Sequence, residues 1–511
     1  MLSIISSSSL IGIESFLVKV EVDISNGIPC FNIVGLAGIE IKESRERVKS
    51  AIINSGYKFP NSRIVVNLSP ADIKKEGSYF DLPISIGLLR NLIKKDDEYL
   101  NDSLFVGELS LDGNLRRVRG ILPIIIGAKN TGLKRIFIPK ENLIEGSFID
   151  GIDIIPLNNL KECIGFLNDE LNLNQDNTAV INFNEDTNED YIYDDDFCDI
   201  SGNYFVKRCA EIAAAGNHNI LMIGPPGSGK TMIAKRLNTI LPSIEKEEMI
   251  EISKIYSVAG LMNEEKGIIK RRPFRSPHHT TTRQALIGGG RDASPGEVVL
   301  AHKGVLFLDE ICEFDRKNLD TLRQPIEDKT ISISRVKYSL EYPCNVLLVG
   351  AMNPCPCGYY MSDTECKCRS YEIDRYIGRI SGPLLDRFDI FVEVNSIPYK
   401  EFDNTNEETS KTIQTRVENA RKIQLDRFIN ENIKTNDEIK SSQLKKYCKL
   451  DEKANSTLDL IFNKYKLSNR SYTKLIKVSR TIADLEEEIY IKSNHIMEAF
   501  SYRKAYYTYF K

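Results

Sequence analysis

Eight consecutive residues, Gly224, Pro225, Pro226, Gly227, Ser228, Gly229, Lys230 and Thr231, have the composition of an anion cradle. Glycines let the backbone curl so that successive N–H groups face one anion. The apolar run before them reads as a strand and TMIAKRL after them as a helix, whose positive N-terminal end adds to the same site. Lys230 is then placed to reach the terminal phosphates of ATP, and the Thr231 hydroxyl to coordinate Mg²⁺. A second run, GVLFLDE, is an apolar strand ending in Asp309 and Glu310. Asp309 would hold the Mg²⁺ through water, and Glu310 would orient and deprotonate the attacking water.

Three further residues fit the same chemistry. Asn353 follows the strand NVLLVGAM, where ligands of open α/β sheets gather. Its amide would position the water near the γ-phosphate, or else cap a turn before Pro354. Arg387, in ISGPLLDRFD, would stabilise transition-state charge on a neighbouring subunit's nucleotide, or else pair locally with Asp386 or Asp389. Arg470 opens a helix near the C-terminus and would sense nucleotide from that side, whereas Arg480 reads as structural.

Cys355, Cys357, Cys366 and Cys368 form two close pairs. Such a set suits tetrahedral Zn²⁺, although the C-x-C spacing is tighter than usual. Free thiols and a redox role are the alternatives. KTISISRVKYSLEYPCN reads as a β-hairpin with a basic tip. Taken alone, Arg335 and Lys337 there simply face solvent. The segment RRPFRSPHHTTTR is a second basic loop, and its His278 and His279 lack nearby acidic or thiol partners for a metal.

A chain of 511 residues exceeds one compact core. Residues 1–167 alternate β-like runs, such as FLVKVEVDI, RIVVNL, SLFVGELSL and RIFIPK, with helical stretches, which predicts an α/β domain. Residues 168–196 predict an acidic linker, with eight carboxylates between Glu185 and Asp199 and no Lys or Arg between Lys161 and Lys207. Residues 197–400 alternate strand and helix, as a parallel sheet requires, and 401–511 are helical throughout. A net charge of −4 excludes a globally basic nucleic-acid binder but not a local basic surface. Eleven Cys without a legible signal peptide predict reduced thiols in the cytoplasm, and no window is apolar enough for a membrane span.

These elements, in this order, resemble the magnesium-chelatase-like branch of AAA+ proteins. More closely, the chain resembles the ComM/YifB family, on strings including VGLAGIEIKESRERVKSAIINSG, RIVVNLSPADIKKEGSYFDLPISIGLL, RPFRSPHHTTT, GGGRDASPGEVVLAHKGVLFLDE, AMNPCPCG and ISGPLLDRFD. The resemblance implies an α/β fold in three parts. These are an N-terminal Lon-protease-like domain (ribosomal S5 domain 2-like), an AAA+ αβα P-loop sandwich and a C-terminal helical lid. It also implies a homohexameric ring, with Arg387 acting across the subunit boundary, and an ATP-driven motor that migrates single-stranded or branched DNA during recombination. In this AAA+ branch such a hairpin enters the ring pore, where Arg335 and Lys337 would touch a DNA backbone without reading sequence. A chelatase-type or protein-remodelling ATPase is the second reading, and the Lon-type domain argues against the chelatase. Proteolysis is not expected. Lon-type enzymes pair a Ser nucleophile with a Lys base, and the matching positions here are Tyr79, next to Ser78, and Leu122.

Overall fold

The computed structural model describes residues 1–75, 77–171, 195–263, 267–290, 293–334, 339–395 and 407–510. The chain forms two compact units, Met1–Asp190 with Lys246–Lys270, and Tyr191–Glu245 with Arg271–Lys511.

In the first unit β1 (Leu2–Ile11) and β2 (Glu14–Ser25) make an antiparallel hairpin, in register from Leu2↔Asp23 to Ile11↔Glu14. Val18, Val20 and Val22 are wholly buried, the period of two that a strand with one face on a core requires. β3 (Cys30–Val34), β4 (Arg63–Ser69) and β5 (Ser103–Phe105) follow, with the small hairpin of β6 (Glu108–Leu109) and β7 (Leu115–Arg116). With β8 (Arg135–Pro139) and β9 (Asp153–Leu157) the sheet has seven strands in the order β3-β4-β2-β1-β5-β8-β9. SLFVGELSL is therefore two strands. The Gly107 N–H donates to Tyr79 O, and Gly107 O accepts from Leu82, so the backbone there pairs with the segment preceding a helix instead of a strand. Helices Ile39–Asn54, Asp81–Leu88, Ile121–Asn130 and Leu160–Leu167 cover the sheet. Lys246–Ala259, from within the stretch read as the nucleotide domain, is a further helix of this unit, and its Ser257 O accepts the Gly120 N–H at 3.0 Å.

The second unit holds a parallel sheet. Its strands are β10 (Ile220–Ile223), β11 (Phe274–Arg275), β14 (Val305–Leu308), β17 (Leu347–Met352) and β18 (Ile390–Glu393), in the order β11-β14-β17-β10-β18. Two hairpins interrupt the alternation, β12 (Gly288–Gly289) with β13 (Ser294–Pro295), and β15 (Thr330–Ser334) with β16 (Ser339–Pro343). Every residue of β10, β14 and β17 is buried, because both faces of a parallel sheet are covered. The C-terminal helices Ser410–Arg427, Glu452–Tyr465, Asn469–Leu485 and Ser493–Ser501 share one core with the sheet, Val417, Leu475 and Ile496 joining Ile220 and Val349.

Most of the expected acidic linker, residues 172–194, lies outside the described residues. So do Arg335 and Lys337, between β15 and β16. Among the described residues no helix is long and apolar enough to cross a membrane.

Candidate nucleotide site

The carboxyl ends of three adjacent strands, β14, β17 and β10, bring five of the candidate residues together. After β10 the chain turns at Gly224, where a Cβ would lie 2.1 Å from Val394 O, so only glycine fits. Gly227 and Gly229 follow with φ of +75° and +88°, left-handed values that curl the loop, and a helix runs from Lys230 to Leu237. This is the strand-turn-helix geometry that turns backbone N–H groups toward an anion.

Lys230 is buried, and its Nζ donates to Gly224 O and Pro225 O, both at 2.8 Å, and to Asn353 Oδ1 at 3.2 Å. Burial pushes its pKa down to about 8, against the upward pull of Asp309 and Glu310. Thr231 Oγ1 donates to Asp309 Oδ2 at 2.8 Å, so the two oxygens expected to share a cation are already neighbours. Glu310 lies in the left-handed region at φ +46°, a conformation that costs a residue with a side chain about 1 kcal/mol or more. Its backbone N–H donates to Asp309 Oδ1, and its own side chain is 57% exposed. His279 Nδ1 stands 3.9 Å from Glu310 Oε2. Nothing in the local sequence around His279 announces this carboxylate neighbour, which lies 31 residues further along the chain. The chain brings the two together through Asn318, whose side-chain amide donates to Thr281 O.

Arg387 and Arg470 lie elsewhere. Arg387 precedes β18, which pairs in parallel with β10 from Ile220↔Ile390 to Ile223↔Glu393. Its carbonyl accepts from Asn219, the residue before β10. The two arginines therefore sit at the amino end of the sheet, one strand length of about 13 Å from the loop that leaves its carboxyl end. They line a single cavity of about 1020 Å³ with Glu327, Asp386, Asp437 and Lys477. Arg387 pairs with Glu327, not with Asp386 or Asp389, and Arg470 donates to Asp386 Oδ2 at 3.0 Å. Arg480 is buried against Asp484, as a structural residue should be.

The family model for magnesium chelatase, subunit ChlI, matches residues 196–402. The model for subunit ChlI of Mg-chelatase matches 20–142, and that for the subunit ChlI C-terminal matches 407–503. Competence protein ComM of Haemophilus influenzae is 42% identical over 510 residues, which cover 98% of this chain and 97% of that one. YifB of Escherichia coli, an uncharacterized protein, is 40% identical over 98% of this chain and 97% of its own. The chain belongs to the ComM/YifB family of magnesium-chelatase-like proteins. A shorter likeness, 30% identity over 104 residues, relates it to an archaeal Lon protease of Methanocaldococcus jannaschii, covering 20% of this chain and 16% of that one.

In this ComM/YifB chain the two positions compared with the Lon dyad are occupied by Tyr79 and Leu122, neither of them a Ser or a Lys. Tyr79 is nearly buried and Leu122 is wholly apolar and buried, while the Ser78 hydroxyl is bonded to the Glu108 carboxylate. The ComM/YifB cysteine motif, by contrast, closes into a cluster. Sγ separations are 3.3 Å for Cys355 to Cys357, 3.7 Å for Cys355 to Cys366 and 3.6 Å for Cys357 to Cys366. Cys368 completes a set whose sulfurs all lie within 4.8 Å of one another. Donation from the Tyr359 N–H draws the Cys357 thiol down to about 6. Sulfurs bonded to tetrahedral Zn²⁺ at about 2.3 Å stand about 3.8 Å apart, so the four thiols fit that ion.

Proposed function

We propose that this chain is a hexameric, ATP-hydrolysing DNA motor, with helicase or branch-migration activity in recombination during natural transformation. The observation that carries the ring is the separation of the two halves of one site. Lys230, Thr231, Asp309, Glu310 and Asn353 share the carboxyl end of the sheet, and Arg387 and Arg470 its amino end. An arginine that cannot reach its own phosphate loop can meet nucleotide only at the loop of another copy, which a ring supplies.

In this reading Lys230 binds the terminal phosphates and exchanges its two carbonyl contacts for phosphate oxygens. Thr231 and Asp309 are the residues that would hold Mg²⁺, which when bound neutralises phosphate charge. Glu310 takes a proton from the attacking water, Asn353 orients that water, and Arg387 of one subunit meets the transition-state charge on the next. Cys355, Cys357, Cys366 and Cys368 hold a structural Zn²⁺. Residues 1–167 form a non-proteolytic Lon-like domain, and the protein works in the cytoplasm.

DNA as the substrate is supported by the relative named a competence protein. The expected basic tip between β15 and β16, inserted between the Asp309 strand and the Asn353 strand, supports the same choice. The match to three models named for magnesium chelatase favours a second reading, a chelatase-type or protein-remodelling ATPase that does not translocate DNA. Steady-state ATPase rate with and without single-stranded DNA separates them, with Glu310→Gln as the blank. Salt-sensitive stimulation is the expected result. Intact basal turnover that ignores DNA would sink the motor and leave the second reading.

A further inference from the structure

The cysteine cluster touches the phosphate loop. Asn353, which accepts from Lys230 Nζ, is separated from Cys355 only by Pro354. Cys355 is buried, its Sγ accepts the Tyr360 N–H at 3.3 Å, and its carbonyl accepts the Gly358 N–H at 3.0 Å. Gly358 has φ +87°, and a Cβ there would lie 2.5 Å from Pro226 Cδ. The turn carrying the first cysteine pair is therefore packed face to face with the phosphate loop, and its stem carries the amide bonded to Lys230.

Besides sulfur, this turn is held by Gly358 against Pro226 and by the Tyr360 ring, which meets Tyr509 at 6.3 Å. Between Gly358 and Cys366 the structure has no helix or strand, and Met361, Asp363, Thr364 and Glu365 are exposed. The hydrogen bonds of Ser362 join it to Tyr359 and Thr364 within the same loop. A short loop without an apolar core is what a four-thiolate metal site commonly organises, because metal binding supplies the ordering free energy. All four cysteines are free, and their sulfurs are much too far apart for the ~2.05 Å of a disulfide.

We propose that Zn²⁺ at Cys355, Cys357, Cys366 and Cys368 sets the nucleotide affinity of the chain, by holding Gly358 against Pro226 and Asn353 against Lys230. This rests on the reading of the phosphate loop as an ATP site and of the cluster as a zinc site. Four thiolates fill the tetrahedral sphere and leave no open position, so the metal's role is to hold the loop rather than to bind substrate.

The test uses the purified full-length protein. Metal analysis should find one zinc per chain, and exchange with Co²⁺ should produce the intense near-ultraviolet thiolate-to-cobalt band. Binding of a fluorescent ATP analogue should weaken at least tenfold when a mercurial strips the zinc in the presence of a chelator, and recover when thiol and zinc are restored. Gly358→Ala keeps all four thiols and should stay zinc-replete, yet bind the analogue more weakly because its Cβ displaces Pro226. Absence of stoichiometric zinc together with absence of the cobalt band would overturn the metal site. Unchanged affinity in both the stripped protein and Gly358→Ala would overturn the coupling while leaving the zinc in place. A zinc-replete wild-type chain that binds no nucleotide at all would overturn the coupling together with the ATP reading.

Discussion

His279 presents its Nδ1 3.9 Å from the Glu310 carboxylate, and the two rings of His278 and His279 lie 4.0 Å apart. Phe314 lies at 77° to the His279 ring with centroids 6.5 Å apart, a second ring contact for the imidazole. Glu310 is 57% exposed and on a strained backbone, and among the described residues no hydrogen bond to its carboxylate fixes where its oxygens point.

A carboxylate that must face one water loses rate when it wanders, while phosphate binding is untouched. His279→Ala should therefore lower kcat about tenfold, or ~1.4 kcal/mol, and leave nucleotide affinity within about twofold. His279→Gln, which keeps a hydrogen-bonding group at similar reach, should recover part of the loss. ATPase rates and equilibrium binding measured on the same preparations decide it. A change in affinity with kcat intact would remove the histidine from this role.

Lys230 and Glu310 should separate binding from hydrolysis. Lys230 is the buried cation of the loop, held by the Gly224 and Pro225 carbonyls. Lys230→Ala should cost about 2–3 kcal/mol of nucleotide binding, roughly a hundredfold, as expected for a charge-assisted contact. Glu310→Gln should keep affinity and lose about 10²-fold or more in turnover, the usual worth of a general base. Titration calorimetry with each variant, beside its ATPase rate, checks both. Normal turnover by Glu310→Gln would end the base assignment.

The carboxylate of Asp437 makes stability depend on pH. Burial disfavours its charge, but Lys329, whose Nζ lies 3.1 Å from Oδ2, and Lys477 outweigh that and hold its pKa at about 2. The folded value is depressed below the ~3.9 of an unfolded Asp. The stabilisation is therefore complete above about pH 4 and disappears as pH falls toward 2. Asp437→Asn should lose about 2 kcal/mol at pH 7 and progressively less below pH 4. Denaturant midpoints of wild type and variant at pH 7 and pH 3 should show the gap closing. A gap of constant size would assign the loss to packing.

The meeting of Lys230, Thr231, Asp309 and Asn353 was legible in the sequence because its parts are local signals, each an apolar strand with a polar residue past its carboxyl end. Lys230, Asp309 and Asn353 needed only the parallel order of β10, β14 and β17 to meet. Elements defined by long-range packing were less legible. β1 carries Ser6–Ser9 at its centre, with no apolar alternation to announce a strand, yet all four are buried between β2 and β5. Earlier in the same strand Ser3 Oγ donates to Gly87 O of the covering helix. The helix Lys246–Ala259 has an ordinary amphipathic pattern, and nothing in it says which of two cores it joins. Gly358 and His279 are silent for the same reason, since each matters through a residue far away in the chain, Pro226 and Glu310.

The placement of Arg387 makes a prediction about mixtures. Its backbone is tied to Asn219 at the start of β10, while Lys230 follows the end of the same strand, so one chain cannot bring both to one phosphate. Arg387→Ala should bind nucleotide normally and lose about 10³-fold in turnover, the worth of an arginine supplied to a developing phosphoryl charge. Lys230→Ala should be inactive at nucleotide concentrations that just saturate the wild type, because it binds about a hundredfold more weakly. Mixing the two under assembly conditions should restore measurable activity, because some interfaces then combine an intact Lys230 with an intact Arg387. The restored rate should rise and fall with the mixing ratio and peak near equal amounts. Two inactive variants that stay inactive in every mixture, while still co-assembling by size, would mean that Arg387 serves its own chain, and the ring argument would lose its footing.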